Sequence, residues 1–340
     1  MALMSAKERP RRRHRIVVIR ALGLGDLLTA VPALRALRRG FPESEITLAA
    51  PVQLAPLVPL IGAVDSIVDT PDLDAVRANG AAPDLVVNLH GSGPESIEAA
   101  LRLAPAELLS HSHPSYPALS GPQWRAELHE IDRWCELTRW AGLSTDRFEY
   151  VLDPAPVPPL QPGVIVVHPG ASAAARRWPA DRFAAVAAAV ADGGVPVLIT
   201  GSSTERGLAD RVAARARHPR VRSVAGQLGL GGLAALVSAA ALVVCGDTGT
   251  AHLATAYRTP SVVLFGPTPP ALWGPPAWGP HRTIWHGSSG DPHAARPDPG
   301  LLEIGVDEVL AAVRSVSSGS TGRVRARLDR ATVFRHQHVG

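Results

Sequence analysis

Lysine is almost absent from this chain: Lys7 is the only one in 340 residues, so nearly every one of the 34 basic side chains is an arginine. With heavy use of Ala, Gly and Pro this marks a GC-rich genome and says nothing about function. Long apolar runs are missing as well. None approaches the roughly 20 uninterrupted residues needed to cross a bilayer, although 46% of the chain is apolar and the mean hydropathy is +0.09. The Arg-rich start runs straight into an apolar strand, without the separate apolar segment or small-residue cleavage site of an export signal. These absences predict a cytoplasmic protein. Cysteine is scarce too. Cys135 and Cys245 are far apart, and Cys245 sits in the apolar run Leu242-Val243-Val244-Cys245, which predicts two reduced packing residues rather than a disulfide or a metal pair.

The sequence pI of about 9.6 suggests a nucleic-acid partner until the charge is located. Residues 1–15 hold six basic residues against one acid, and so do residues 314–340. Each arm therefore carries +5, and with a total of +4 the body between them is left at −6. A basic folded face is what nucleic acid requires, and the charge is not there. The arms read as solvated tails, with weak attachment to the anionic inner face of a membrane as the alternative.

A chain of this length suits two domains of about 150 residues each. Apolar runs alternate with amphipathic stretches in two blocks, which predicts an α/β protein built of two parallel, doubly wound sheets. In the first block, strands are expected at Ile16–Ile19, Ile46–Ala50, Ser66–Val68 and Leu85–Leu89. Helices are expected at Leu27–Arg39 and Trp124–Ala141. The proline-dense stretch Pro154–Pro162 can hold neither a helix nor a central strand and reads as a linker. The second block offers strands at Val164–Val167, Val197–Ile199, Val221–Val224, Leu242–Cys245 and Val262–Phe265. Its helices fall at Pro179–Ala191, Thr204–Ala216, Leu233–Ala240, Thr250–Ala256 and Val306–Val313, with an ordered loop over Gly266–Pro280. The expected organisation is a tail over 1–15, domains over 16–153 and 163–313 around a linker at 154–162, and a tail over 314–340. In open α/β sheets, ligands bind at the carboxyl ends of the strands, which directs attention to a cleft between the halves.

Three strand-to-helix turns carry chemistry. The first is Leu22-Gly23-Leu24-Gly25-Asp26. It lacks the third glycine and the later acid of a dinucleotide fingerprint, which leaves a glycine loop open to close approach, with Asp26 either a helix cap or a catalytic base. The second is His168-Pro169-Gly170-Ala171-Ser172 followed by Arg176-Arg177-Trp178-Pro179. Backbone N–H groups, a helix start and two cations converge there, a combination suited to a diphosphate. The third is Gly246-Asp247-Thr248-Gly249-Thr250-Ala251-His252, where Gly249 frees the backbone to form an anion nest and His252 projects from the first helical turn. Gly226–Gly232 lacks the Lys of a phosphate-binding P-loop, and His111 and His113 have no partner residues at metal-ligand spacing. No metal or cofactor is expected.

Together with His129-Glu130-Ile131-Asp132-Arg133 and Phe265-Gly266-Pro267-Thr268, these turns resemble glycosyltransferase family 9, the ADP-heptose:lipopolysaccharide heptosyltransferases and their relatives. The resemblance spans roughly residues 16–313. It implies the GT-B fold, two Rossmann-like domains facing each other across a cleft, and metal-independent, inverting sugar transfer. It implies Asp26 as the general base, with Ser172, Arg176 and Arg177 on the diphosphate and Thr248, Gly249 and Thr250 supplying backbone N–H groups. Asp247 and His252 would line the donor sugar, Glu205 the ribose and Leu228 the adenine, while Gly25, His90 and His129 fall on the acceptor side. The partners implied are a nucleotide sugar, expected to be ADP-heptose, and a glycan, lipid-linked or small-molecule acceptor, handled by a monomer without nucleic acid. Arg176 stands where the family usually has lysine. After the fourth strand, Asn88–Glu95 lacks the basic residue carried by members that act on phosphorylated cores, so a neutral acceptor is expected. Two other readings fit the same turns: an epimerase or a transferase acting on another nucleotide sugar, and a nucleotide-sugar-binding protein without catalysis.

Overall fold

The computed structural model describes residues 13–77, 80–287 and 289–319. Most of both basic arms, and with it any membrane attachment through them, lies outside the described residues.

By contact the chain divides into two units. The first takes the residues up to Leu22, Pro32–Arg125 and Arg133–Arg147; the second takes Gly23–Val31, Ala126–Asp132 and everything from Phe148 onward. In chain order the first block contributes β1 (Arg15–Ile19), α1 (Leu24–Gly40), β2 (Glu45–Ala50), α2 (Val58–Ile61), β3 (Ser66–Asp69), β4 (Leu85–Asn88), α3 (Glu95–Leu101), β5 (Glu107–Leu109) and α4 (Glu130–Trp140). Its five strands are all parallel, in the order β3-β2-β1-β4-β5. The chain winds outward from β1 through β2 and β3 and then returns to β4, so the winding reverses between β1 and β4.

The second block runs β6 (Ile165–His168), α5 (Ala180–Ala191), β7 (Val197–Ile199), α6 (Arg206–Ala216), β8 (Val221–Ser223), α7 (Leu230–Ser238), β9 (Leu242–Gly246), α8 (Gly249–Ala256), β10 (Ser261–Phe265), α9 (Pro270–Trp273), β11 (His281–Trp285), α10 (Pro299–Glu303) and α11 (Val306–Gly319). Its six parallel strands lie in the order β11-β10-β9-β6-β7-β8, reversing between β6 and β9. Ile165, Val167, Val197, Ile199, Val244 and Leu264 point to one face and pack with Phe183 and Val186 of α5, Val212 of α6 and Val309 and Val313 of α11. Val166, Leu198, Val243 and Val263 on the other face are buried too. Burial on both faces is why these strands read as continuous apolar runs, and each fully buried Val, Leu or Ile contributes about 1.5–3 kcal/mol. Trp178 fastens the loop before α5 to the far end of the chain: its indole Nε1 donates to the Ile304 carbonyl (3.1 Å), and Arg182 Nη1 donates to the same oxygen (2.8 Å).

Several boundaries differ from expectation for physical reasons. The helix expected over Trp124–Ala141 begins only at Glu130. Trp124 is drawn instead into an aromatic cluster, edge-on to His111 (5.0 Å) and Trp134 (5.8 Å), with the Arg133 guanidinium 4.2 Å above its ring. The last helix does not stop at Val313: the buried stripe continues through Val316, and α11 runs to Gly319, so the first six residues of the expected tail are helical. The loop Gly266–Pro280 holds the single-turn helix α9, and α3, β5 and β11 were not anticipated at all.

Candidate active site

β6 ends at His168, whose Nδ1 lies 3.0 Å from the Thr200 hydroxyl. Burial pushes the pKa of this imidazole down, against the pull of Glu205, so it is neutral. The loop that follows turns back on itself. Arg177 donates from Nε and Nη2 to the Ala171 carbonyl (2.9 and 2.7 Å), so this guanidinium braces the loop. Arg176 points elsewhere. Its Nη2 donates to the Ser172 hydroxyl, its Nη1 lies 3.9 Å from Asp247 Oδ2, and its Nε is buried with no hydrogen-bond partner. A buried unpaired N–H on a cation costs free energy unless something occupies it.

β9 delivers Asp247 to the same point, and α8 begins two residues later, with Thr248 extended at the N-cap (φ −147°, ψ 170°). The Thr248 hydroxyl makes no cap bond and is buried without a hydrogen-bond partner. The first N–H groups of a helix have no intrahelical acceptor and carry the positive end of its dipole. Asp247 is 6% exposed, and burial raises its pKa to about 6, with Arg176 opposing and the Asp26 charge adding to the rise.

Asp26 is the third residue of α1 and not its cap. Its Oδ2 accepts from the Gly23 N–H at 3.2 Å, reaching back toward the helix start as the acid of a capping box does. The two residues before it meet α8. The Leu24 side chain lies against Gly249, and the His252 ring lies against Gly25, with Trp273 edge-on to that ring at 5.8 Å.

Beside this point opens a cavity of about 310 Å³, within the range that ligand-sized pockets occupy. Ser172, Thr248, Gly249 and Thr250 line it, as do the apolar side chains of Leu228, Leu230, Leu233 and Val224. Glu205 and His168 face the same space. The Glu205 carboxylate accepts from the Ser202 N–H (2.8 Å) and hydroxyl (2.9 Å). Burial favours its neutral form, but these bonds prevail and hold it below the usual carboxylate range.

The expected donor residues Ser172, Glu205, Leu228, Thr248, Gly249 and Thr250 thus share one cavity, with Arg176 and Asp247 joined to it through Ser172 and Thr248. The remaining expected residues do not line it. His129 accepts from the Ile131 N–H at Nδ1 (3.2 Å), so its Nε2 carries the proton and donates to the Gly274 carbonyl (3.0 Å); both nitrogens are spent on backbone. His90, at the end of β4 in the first unit, has its Nδ1 buried without a partner, and burial, with the Arg20 charge, lowers its pKa to about 4. Sequence reasoning missed Leu24, His168, Thr200 and Trp273. Leu24 and His168 lie inside turns already singled out and Thr200 directly follows β7, and that position is the signal that could have marked them; Trp273 had none beyond its glycine- and proline-rich loop.

Two parallel, doubly wound sheets with these turns at the carboxyl ends of their strands place the protein in the GT-B class of fold. The glycosyltransferase family 9 (heptosyltransferase) profile matches residues 123–297, more than half of the sequence, and the chain belongs to that family. It is 33% identical over 130 residues to the lipopolysaccharide heptosyltransferase 1 of Pseudomonas aeruginosa, covering 37% of this chain and 36% of that protein. The curated relatives are thus matched over about a third of their length. Among solved structures, a glycosyl transferase family 9 protein from Veillonella parvula superposes with a TM-score of 0.74 at 20% identity, covering 90% of this chain and 98% of that one. The ADP-heptose lipopolysaccharide heptosyltransferase II of E. coli superposes at 0.72 and 20% identity, covering 89% and 98%. Among the described residues no helix is long and apolar enough to cross a membrane, and no group of three His, Cys, Asp or Glu is arranged to hold a metal ion.

Proposed function

We propose that this chain transfers a heptose from ADP-heptose to an acceptor hydroxyl with inversion at the anomeric carbon, as a cytoplasmic monomer and without a metal. The observation that carries the reading is Arg176, whose guanidinium reaches Ser172 with Nη2 and Asp247 with Nη1 while its buried Nε has no hydrogen-bond partner. A diphosphate is the group that would satisfy the cation, the Thr248 hydroxyl and the helix N–H groups together. Glu205 would accept the ribose hydroxyls, and the leucine-lined part of the cavity would take the base.

In the reaction, Asp26 takes the proton of the acceptor hydroxyl as its oxygen bonds to the anomeric carbon. The bond from that carbon to the β-phosphate oxygen breaks, and the nucleoside diphosphate leaves with the electron pair. Arg176 and the N-terminus of α8 stabilise the charge that develops on it. Asp247 and His252 hold the sugar.

For the acceptor, a neutral glycan, lipid-linked sugar or small molecule fits better than a phosphorylated core. With its pKa at about 4, His90 is uncharged near pH 7, and Arg20 is buried, donating to the Leu89 carbonyl with its guanidinium 4.7 Å over the Trp134 ring. Neither side chain therefore offers a phosphate an exposed positive charge. The test is incubation with ADP-heptose and paired neutral and phosphorylated acceptors, following ADP release and product mass. Transfer to a neutral acceptor is expected. Isomerised nucleotide sugar released without any acceptor would identify an epimerase instead, and tight ADP binding without turnover a binding protein.

A further inference from the structure

The first turns of α1 and α8 interlock through two glycines, one on each helix. A Cβ built on Gly249 would lie 2.7–2.8 Å from three atoms of Leu24, namely Cδ2, Cβ and Cγ. A Cβ built on Gly25 would lie 2.8 Å from His252 Cδ2 and 3.2 Å from its Nε2. Each helix thus lacks a side chain where the other supplies one. Real Cβ atoms do not approach that closely, so each glycine lets a side chain of the other helix seat directly on its backbone, and these two contacts set the register of the helix starts. Trp273 stands edge-on to the His252 ring. Both helix N-termini also bring positive dipole ends to this point, an approach that favours parting. The Leu24 and His252 contacts set how the two starts meet.

Two features of the chemistry depend on that register. Asp26 follows Leu24 by two residues on the same helical turn and is close enough to Asp247 to raise its pKa. Gly249, which receives Leu24, belongs to the turn that would hold the diphosphate. We propose that Leu24 is a positioning residue: by seating in the notch over Gly249 it fixes the Asp26 carboxylate relative to the donor diphosphate, so that the base and the leaving group are held by one contact. The proposal rests on the donor and base roles given above. It assigns Leu24 no contact with reacting atoms; its effect runs through the placement of Asp26, where a displacement of about 1 Å can cost 100-fold in rate.

The experiment compares Leu24→Ala and Leu24→Met with wild type for kcat, ADP affinity by calorimetry and melting temperature. For Leu24→Ala, kcat is expected to fall at least tenfold, with ADP Kd within about threefold and melting temperature near wild type. Leu24→Met, which refills the notch with an unbranched side chain, is expected to restore at least half of wild-type kcat. A merely structural leucine would lower the melting temperature, and a mere wall of the cavity would weaken ADP binding in step with kcat; either pattern overturns the proposal. Wild type that binds ADP and turns over, with Leu24→Ala keeping kcat within twofold, overturns the proposal alone and leaves the donor reading intact. Wild type that fails to bind ADP sinks the donor reading, and the proposal with it.

Discussion

The Glu205 carboxylate occupies the space where a side chain on Gly170 would stand, so the glycine of the β6 loop and the acid before α6 are complementary. Because the overlap is with the far end of a flexible side chain, Gly170→Ala should leave the fold standing and push Glu205 off its Ser202 bonds. The expected result is ADP binding weakened about tenfold, the size of one lost charge-assisted hydrogen bond, with little change in melting temperature. Glu205→Ala should give the same loss, and the double variant no more than either single one, because both remove one interaction. Additive losses in a calorimetric cycle would separate the two residues.

Arg176→Ala should weaken ADP binding by roughly 1.5–3 kcal/mol, since a charged donor to the diphosphate is removed. It should also push the Asp247 pKa further up by deleting the cation that now opposes burial. Unchanged calorimetric affinity for ADP would remove Arg176 from the donor site.

Asp26→Asn distinguishes a base from a helix-start residue. Asparagine can accept the Gly23 N–H as aspartate does, so melting temperature and ADP affinity should stay near wild type. A general base contributes about 10²–10⁴-fold to rate, so turnover should fall at least 100-fold. A variant retaining more than about a tenth of wild-type turnover would refute the assignment.

Asp247 predicts a pH dependence with a definite sign. Its folded pKa of about 6 lies above the ordinary value of 3.8, so the protonated form is the one the fold prefers. Stability attributable to this group is complete below about pH 4 and is lost as the pH rises through 6, amounting to roughly 3 kcal/mol. The same carboxylate, once ionised, repels a bound diphosphate. ADP affinity should therefore weaken as the pH rises above 6 in wild type and do so less in Asp247→Asn, a comparison that cancels the titration of ADP itself. Parallel profiles for the two proteins would contradict the prediction.

Much of this was legible in the sequence because both signals are local. Strands buried on two faces must be runs of Val, Ile and Leu, and turns that approach a ligand must spend glycines, so Val164–Val167 and Gly246–Thr250 announce themselves. What was not legible depended on distant partners. Trp124 looks helical by its neighbours, yet it is held by His111 and Trp134, 13 residues upstream and 10 downstream. His129 matches a family motif, but its nitrogens are taken by Ile131 and by Gly274, a carbonyl 145 residues away. Leu24 is an ordinary apolar residue until Gly249 is seen beneath it. β5 and β11 were missed because each sits at the edge of its sheet, where half-exposed strands such as Glu107–Leu109 and His281–Trp285 lose the apolar run.

The fastening of Trp178 and Arg182 to the Ile304 carbonyl has a consequence for handling the protein. Arg176, the proposed phosphate ligand, lies early in the second block, but the loop carrying it is latched to Ile304, well over a hundred residues further along. A chain cut ahead of Ile304 would keep every motif residue through His252 and still lose the carbonyl to which Trp178 and Arg182 donate. Domain dissection by sequence motif would give a fragment that looks whole but whose Arg176 loop has lost its anchor.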